Sequence, residues 1–350
     1  MLTKEQIKEI REHLEKAQNP IFYYDNDADG LCSFILLRRF IGRGYGVAVR
    51  SYPELDGSYA SKAQQLKADY VFVLDKPVIA KEFFSEIDKM QLPLVWIDHH
   101  ANPEVRKSFS GFENVYLYNP CMNKEKEKSS EPTSYLCYKI SDRKEDIWLA
   151  LMGCIADHYL PDFAPEFGKK YPELWGEAVH PFDVYYKTEI GRMALALNFG
   201  LKDSVSNIVK LQNFLVSSKG PEEVASEIES GKAFSKKYRE IKKKYDLLLS
   251  EAKKEAGEKL LFFRYSGDLS ISADLANELS YLFRGKYIAV AYTKGAITNI
   301  SMRGKNVKAI LEKVLKNLEN ATGGGHEDAV GSRIRTEDLE KFKELFEKEI

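Results

Sequence analysis

Apolar residues along this chain fall into two kinds of run. Short, near-continuous ones lie at 20–24 (PIFYY), 46–50 (GVAVR), 69–74 (DYVFVL), 92–97 (LPLVWI) and 114–118 (NVYLY), each four to six residues long and rich in Val, Ile, Tyr and Phe. Such runs, bounded by polar residues, read as strands buried on both faces. Between them, GLCSFILLRRFIGRG, GSYASKAQQLKA and AKEFFSEIDKM carry apolar positions at helical spacing. Strand, helix, strand at this spacing predicts βαβ units and a doubly wound parallel sheet, an α/β fold.

The pattern then changes. Residues 131–217 read as mostly helical, with three-to-four spacing in EDIWLALMGCIADH and IGRMALALNFGL. A long charged stretch at 221–257 predicts a solvated helix joining two domains. Strand character resumes in LLFFRYSG and YIAVAYTKGAITNISMRG, followed by helix signals in NVKAILEKVLKNLE and TEDLEKFKELFEKEI. The expected organisation is therefore a catalytic domain at 1–220, a connecting helix at 221–257 and a smaller α/β domain at 258–350.

Composition narrows the class. The 350 residues are 44% apolar and 30% charged, as in an ordinary soluble globular protein. No run approaches the ~18 apolar residues of a membrane span. The opening stretch MLTKEQIKEIREHLEKA is an amphipathic helix candidate without the apolar core of a signal peptide, so a cytoplasmic protein with no membrane partner is expected. Cys32, Cys121, Cys137 and Cys154 are scattered without metal-finger spacing, which predicts reduced, mostly buried thiols. A net charge of −1 argues against a broad electrostatic grip on nucleic acid and leaves room for a local basic groove.

The chemistry lies at the strand ends. PIFYY runs into Asp25, Asp27 and Asp29, YVFVL into Asp75, and LPLVWI into Asp98, His99 and His100. In an open parallel sheet these carboxyl ends share one edge, where ligands bind. A helical segment, LMGCI, adds Asp157 and His158. Singly, each residue is ordinary. An Asp after a strand caps the next helix, Asp29-Gly30 alone reads as a turn, and a His pair is commonly surface or core. Their coincidence on one edge is the signal. Closely spaced carboxylates repel by about 1 kcal/mol per pair even in water, and a divalent cation between them removes that repulsion. Several Asp with one or two His suit Mn²⁺ or Mg²⁺ better than Zn²⁺. The donors are numerous enough for two ions roughly 3.5–4 Å apart, an arrangement that drives phosphoryl transfer to water.

Taken in order, Asp27-Ala28-Asp29-Gly30, Asp75, Asp98-His99-His100 and Asp157 resemble the four motifs of the DHH phosphoesterase superfamily. Gly323-Gly324-Gly325-His326, with Ser301-Met302-Arg303 about twenty residues earlier, resembles its DHHA1 substrate domain. The likeness covers nearly the whole chain. It implies an N-terminal doubly wound DHH domain, a linker helix and a smaller C-terminal α/β DHHA1 domain, with the active site in the cleft between the domains. It also implies Mn²⁺-preferring hydrolysis of phosphoesters. Carried over by position, Asp27, Asp29, Asp75, His99 and Asp157 become metal ligands, with Asp75 bridging. Asp98 becomes the residue that orients a histidine, and His100 lines the site. Phosphatase-like branches often carry a His where this chain has Tyr23. Asp25 stands where RecJ-type exonucleases also tend to have an aspartate, which favours the nuclease branch, of archaeal type, and adds Asp25 to the candidate ligands. Lys76 is expected to point to solvent, with pairing to a ligand carboxylate or contact with a phosphate as the alternatives. Arg303, Gly323, Gly324, Gly325 and His326 are expected to hold the substrate's phosphate.

The first reading is a single-strand-specific exonuclease acting on DNA or RNA from one end. Lys236, Lys237, Lys242, Lys243 and Lys244 would line a path for the backbone, or simply belong to a solvated helix. The alternative within the same chemistry is an oligoribonuclease or 3′-phosphoadenosine 5′-phosphate phosphatase. The alternative outside enzymology is a replication scaffold with eroded motifs, which the intact set here speaks against. Replication and repair proteins are compatible partners. The tract 121–132 is expected to be a surface loop, and 159–185 an insertion beside the site.

Overall fold

The computed structural model describes residues 1–51, 54–102, 104–123, 131–178, 180–230 and 235–350. The chain forms two compact units, Met1–Tyr238 and Arg239–Ile350, divided within the helix Ser235–Lys254. The stretch 221–257 holds a second helix, Pro221–Ser230, ahead of that one. Along Ser235–Lys254, Lys242 pairs with Asp246 and Lys244 with Asp268.

In the first unit the strands are β1 (Pro20–Asp25), β2 (Tyr45–Val49), β3 (Glu54–Leu55), β4 (Tyr70–Leu74), β5 (Val78–Ile79), β6 (Leu94–Ile97) and β7 (Val115–Tyr118). Five of them form one parallel sheet in the order β2-β1-β4-β6-β7, while β3 and β5 pair as a separate short ribbon. Alternate residues of the apolar runs go to opposite faces. Ile21, Tyr23, Val71, Val73 and Trp96 pack with Phe83, Phe84 and Ala63 on one side. On the other, Phe22 and Tyr24 lie against Phe34 of the helix Ala28–Ile41, at ring separations of 5.5 and 5.3 Å. Burial on both faces is why these strands show no polar alternation.

The strand order reverses between β1 and β4, so a crevice opens at their carboxyl ends. The helix Ala28–Ile41 starts at that crevice, capped by Asp27, whose Oδ1 accepts the Gly30 N–H at 2.9 Å. Gly30 is required there: a β-carbon would collide with the Asp25 carbonyl oxygen and lie 2.8 Å from the Asp25 nitrogen. Behind Ala28–Ile41 pack the helices Thr133–Ser141 and Ile147–Ala156. Three of the four cysteines, Cys32, Cys137 and Cys154, are buried, and Cys121 is partly exposed. The stretch 159–185 includes the helices Ala164–Lys170 and Pro172–Trp175, and Pro181–Lys187 begins within it. Residues 124–130 of the expected loop lie outside the described residues.

The second unit contains β8 (Leu260–Ser266), β9 (Tyr287–Lys294), β10 (Ile297–Arg303), β11 (Thr322–His326) and β12 (Ala329–Arg335). They form a mixed sheet ordered β11-β12-β10-β9-β8, in which only β8 and β9 run parallel. Val307–Leu315 and Leu339–Glu349 cover one face, burying Leu311, Val314, Phe342 and Phe346. Among the described residues no helix is long and apolar enough to cross a membrane.

Candidate metal centre

Each polar residue of the crevice is delivered by a strand end or a helix end. Asp75 follows β4 in a left-handed conformation, φ 59°, with its N–H donating to the Ile97 carbonyl at 3.0 Å. A non-glycine residue in this region carries strain of order 1 kcal/mol, seen most often at functional sites. The Asp75 Oδ1 accepts the Thr133 hydroxyl at 3.1 Å. Asp29, buried, accepts two backbone N–H groups, from Thr133 at 2.8 Å and Ser134 at 2.9 Å. These amides are the free donors at the start of Thr133–Ser141, a ready anion site.

His99 Nε2 lies 3.4 Å from Asp75 Oδ1 and 3.3 Å from Asp157 Oδ2. That nitrogen is buried and has no aligned hydrogen-bond partner. It is surrounded by carboxylate oxygens, as a metal-ligating imidazole is. His100 is oriented from behind: Asp98 Oδ1 meets its Nδ1 at 2.8 Å, and Asp98 Oδ2 accepts its backbone N–H at 3.1 Å. Asn119 braces both, donating to Asp98 Oδ2 at 3.1 Å and to the His100 carbonyl at 2.9 Å.

Two groups of side chains bring potential ligand atoms within 4.8 Å of one another: Asp75, His99 and His100, and Asp29, His99 and Asp157. Asp27 adjoins them as the helix cap. Its carboxyl is pushed well above the ordinary range by burial and then by Asp75, Asp25, Asp157 and Asp29. Burial, with Asp75 and Asp157, does the same to Asp29. Asp157 opens to solvent at the rim of the cluster, yet it is pushed up to about 6 by the desolvating atoms around it and by Asp75 and Asp25, against the pull of His99. Burial opposes charge on His99 too, but Asp75, Asp157 and Asp29 overcome it and raise its proton affinity well above that of free imidazole. In turn, burial would raise Asp75, and the His99 contact holds it down at about 2. Carboxyls crowded around one imidazole, most of them with raised proton affinity, form a donor set that fits a divalent cation.

Asp25 is engaged differently. Its Oδ1 accepts Lys76 Nζ at 2.8 Å, and Lys76 also donates to the Ser51 carbonyl at 2.9 Å. Lys76 is fully buried, which corrects the expectation that it points to solvent. The paired carboxylate of Asp25 is what allows an ammonium to lie inside. Tyr23 turns away, its hydroxyl donating to the Tyr59 carbonyl at 2.9 Å.

In the second unit Arg303 ends β10, with Nε donating to Asn277 Oδ1 at 2.6 Å. Across the sheet Arg303 is in register with Ala329, and Ala329 with His326, so the two expected phosphate contacts share one row. The three glycines lie in the edge strand β11, paired with Val330, Gly331 and Ser332. Gly325 has φ 142°, and a β-carbon there would reach 2.9 Å from Val330 Cα. The side chain of His326 lies outside the described residues. Sequence reasoning missed Thr133, Ser134, Asn119, Asn198 and Asn277. Asn198, for one, holds the Ala28 N–H at 2.7 Å from far along the chain.

A DHHA1 domain is recognised over residues 257–350. No curated protein matches the chain by sequence. Among solved structures, the Mn²⁺ complex of RecJ from Thermus thermophilus is similar at 14% identity and a TM-score of 0.64, over 98% of this chain and 54% of that one. This chain thus spans about half the length of that protein. An exonuclease RecJ bound to manganese matches at 14% identity and a TM-score of 0.62, over 99% of this chain and 94% of that one. The DHH domain of a member of the s1p family of ribosomal proteins matches at 12% identity and a TM-score of 0.69, over 99% and 89%. At such identities the likeness is one of fold.

Proposed function

From a chain of the DHH/DHHA1 superfamily, with the DHH phosphoesterase fold and a DHHA1 domain at 257–350, we propose a metal-dependent phosphodiesterase that digests single-stranded DNA or RNA from an end. The observation that carries this reading is the meeting of Asp29, Asp75, His99, His100 and Asp157 at the carboxyl ends of β1, β4 and β6. In this proposal residues 1–220 carry the chemistry, 221–257 connect, and 258–350 hold the substrate.

Asp27, Asp29, Asp75, His99 and Asp157 would hold the cation, Mn²⁺ by preference and Mg²⁺ as a substitute. Bound there, it would acidify water and neutralise charge on the phosphate under attack. The chain's own residues do the rest. Asp98 fixes the His100 tautomer through Nδ1, and Nε2 would be the nitrogen that holds or delivers a proton at a phosphate oxygen. Burial opposes protonation of His100, but the Asp98 hydrogen bond and charge raise its proton affinity, which favours the donor form. Arg303, steadied by Asn277, would fork onto a phosphate, and the three glycines of β11 let a sugar-phosphate chain approach the backbone closely.

The test is purified protein with Mn²⁺ and end-labelled single-stranded DNA and RNA of about 3, 10 and 30 nucleotides, lengths that span an isolated end and a full strand-binding site. Ladders from the long strands are expected. Turnover confined to the shortest would favour an oligoribonuclease, and no product with any strand would overturn the hydrolase reading.

A further inference from the structure

Resting on the metal-centre reading above, we infer that the buried Lys76 ammonium is a resident cation standing in for a second divalent ion, so that the centre holds one metal tightly. The donor count in the sequence pointed to a pair of ions, but the geometry redistributes those donors. The two groups with ligand atoms within 4.8 Å share His99, and its Nε2 faces Asp75 and Asp157 together. A ring nitrogen has one lone pair to give, so Nε2, Asp75 and Asp157 converge on one position. A second position would have to draw on Asp25, the remaining carboxylate of the cluster, which acts on Asp27. There Lys76 Nζ already sits 2.8 Å from Asp25 Oδ1, and the Tyr23 hydroxyl is committed to the Tyr59 carbonyl.

Lys76 is not free to swing out. Its side chain is fully buried, and Nζ is also tied to the Ser51 carbonyl. The backbone is pinned by Trp96, whose Nε1 donates to the Lys76 carbonyl at 2.8 Å. Downstream, Asn102 Nδ2 donates to the Pro77 carbonyl at 3.1 Å. A fixed positive charge in this position does two things. It satisfies a carboxylate that would otherwise invite a metal, and it repels any divalent ion brought beside it.

The experiment is metal content and spectroscopy of the full-length protein. Equilibrium dialysis against Mn²⁺ followed by elemental analysis is expected to give one Mn²⁺ per chain, with the six-line paramagnetic resonance spectrum of an isolated ion. Lys76→Met keeps the aliphatic stem and removes the charge. It is expected to take up a second Mn²⁺ and to show the denser multiline spectrum of a coupled pair. Two tightly bound ions in the unaltered protein would overturn the inference and leave the metal-centre reading intact, whereas no bound Mn²⁺ would overturn both. A Lys76→Met protein that keeps the native circular dichroism and melting profile yet still binds a single ion would also overturn it. Should that variant not fold, the stoichiometry and spectrum of the unaltered protein decide alone.

Discussion

Replacing Asp27 by Asn separates charge from structure at the centre. Asn caps a helix about as well as Asp, so the bond from the Gly30 N–H to the side-chain oxygen should survive, and only a negative charge is removed. Four carboxyls, those of Asp75, Asp25, Asp157 and Asp29, act on Asp27. A like-charged pair about 4 Å apart repels by about 1 kcal/mol in water and about 4 kcal/mol at the effective dielectric near a protein surface. Against this, losing the favourable interaction of the Asp27 charge with the helix N-terminus costs about 0.3–1 kcal/mol. The balance favours the variant. In chelator near neutral pH, Asp27→Asn should be more stable by on the order of 2 kcal/mol, or about 4–8 °C in melting temperature for a unit of this size. Mn²⁺ at a hundredfold excess over its dissociation constant stabilises a binding protein by about 2.7 kcal/mol, and that gain should fall by more than half in the variant. Thermal melts with and without Mn²⁺ check both halves. If Asp27→Asn melts below the parent protein in chelator while keeping its native circular dichroism, or if Mn²⁺ shifts both equally, the cluster is not a repelling set awaiting a cation.

Acidity should act in the same direction. Asp157 is held up at about 6, and Asp27 and Asp29 lie well above ordinary carboxyls, so the folded chain binds more protons than the unfolded one between about pH 4 and the folded values. Metal-free protein should therefore gain stability as pH falls from about 8 to about 5.5, and calorimetric Mn²⁺ affinity should weaken over the same range; a metal-free melting temperature that drops on acidification refutes this. Gly30→Ala forces the start of Ala28–Ile41 off β1 and should cost about 1–3 kcal/mol in urea unfolding. Asn119→Ala removes the brace on Asp98 and His100 and should lower turnover by about 10–100-fold with little change in melting, as measured by single-turnover kinetics.

The large sheet was legible because its strands are buried on both faces and so write uninterrupted apolar runs; all five runs became strands. The pairs Glu54–Leu55 and Val78–Ile79 are too short to leave a pattern. Ala329–Arg335 was not assigned, because its glycine and serine interrupt the apolar run, although Val330, Ser332 and Ile334 alternate inward. The acidic and histidine residues stood out because, Asp157 apart, they follow strands; Asp157 ends the helix Ile147–Ala156. Lys76 was misjudged because its partner, Asp25, is 51 positions away and only the β1–β4 pairing brings them together. Thr133 and Ser134 hold Asp29 through backbone amides, whose chemistry is the same in every residue and leaves no mark in a sequence.

The left-handed backbone at Asp75 determines which variants of that position can be interpreted. Alanine there deletes a carboxylate and also leaves an apolar side chain on a torsion that L-residues other than Asn and Asp rarely adopt. A silent alanine variant would therefore confound lost chemistry with a displaced loop. Asparagine tolerates the same torsion and matches the aspartate in shape, so Asp75→Asn reads the charge alone, and Asp75→Gly reports what the peptide does without any side chain.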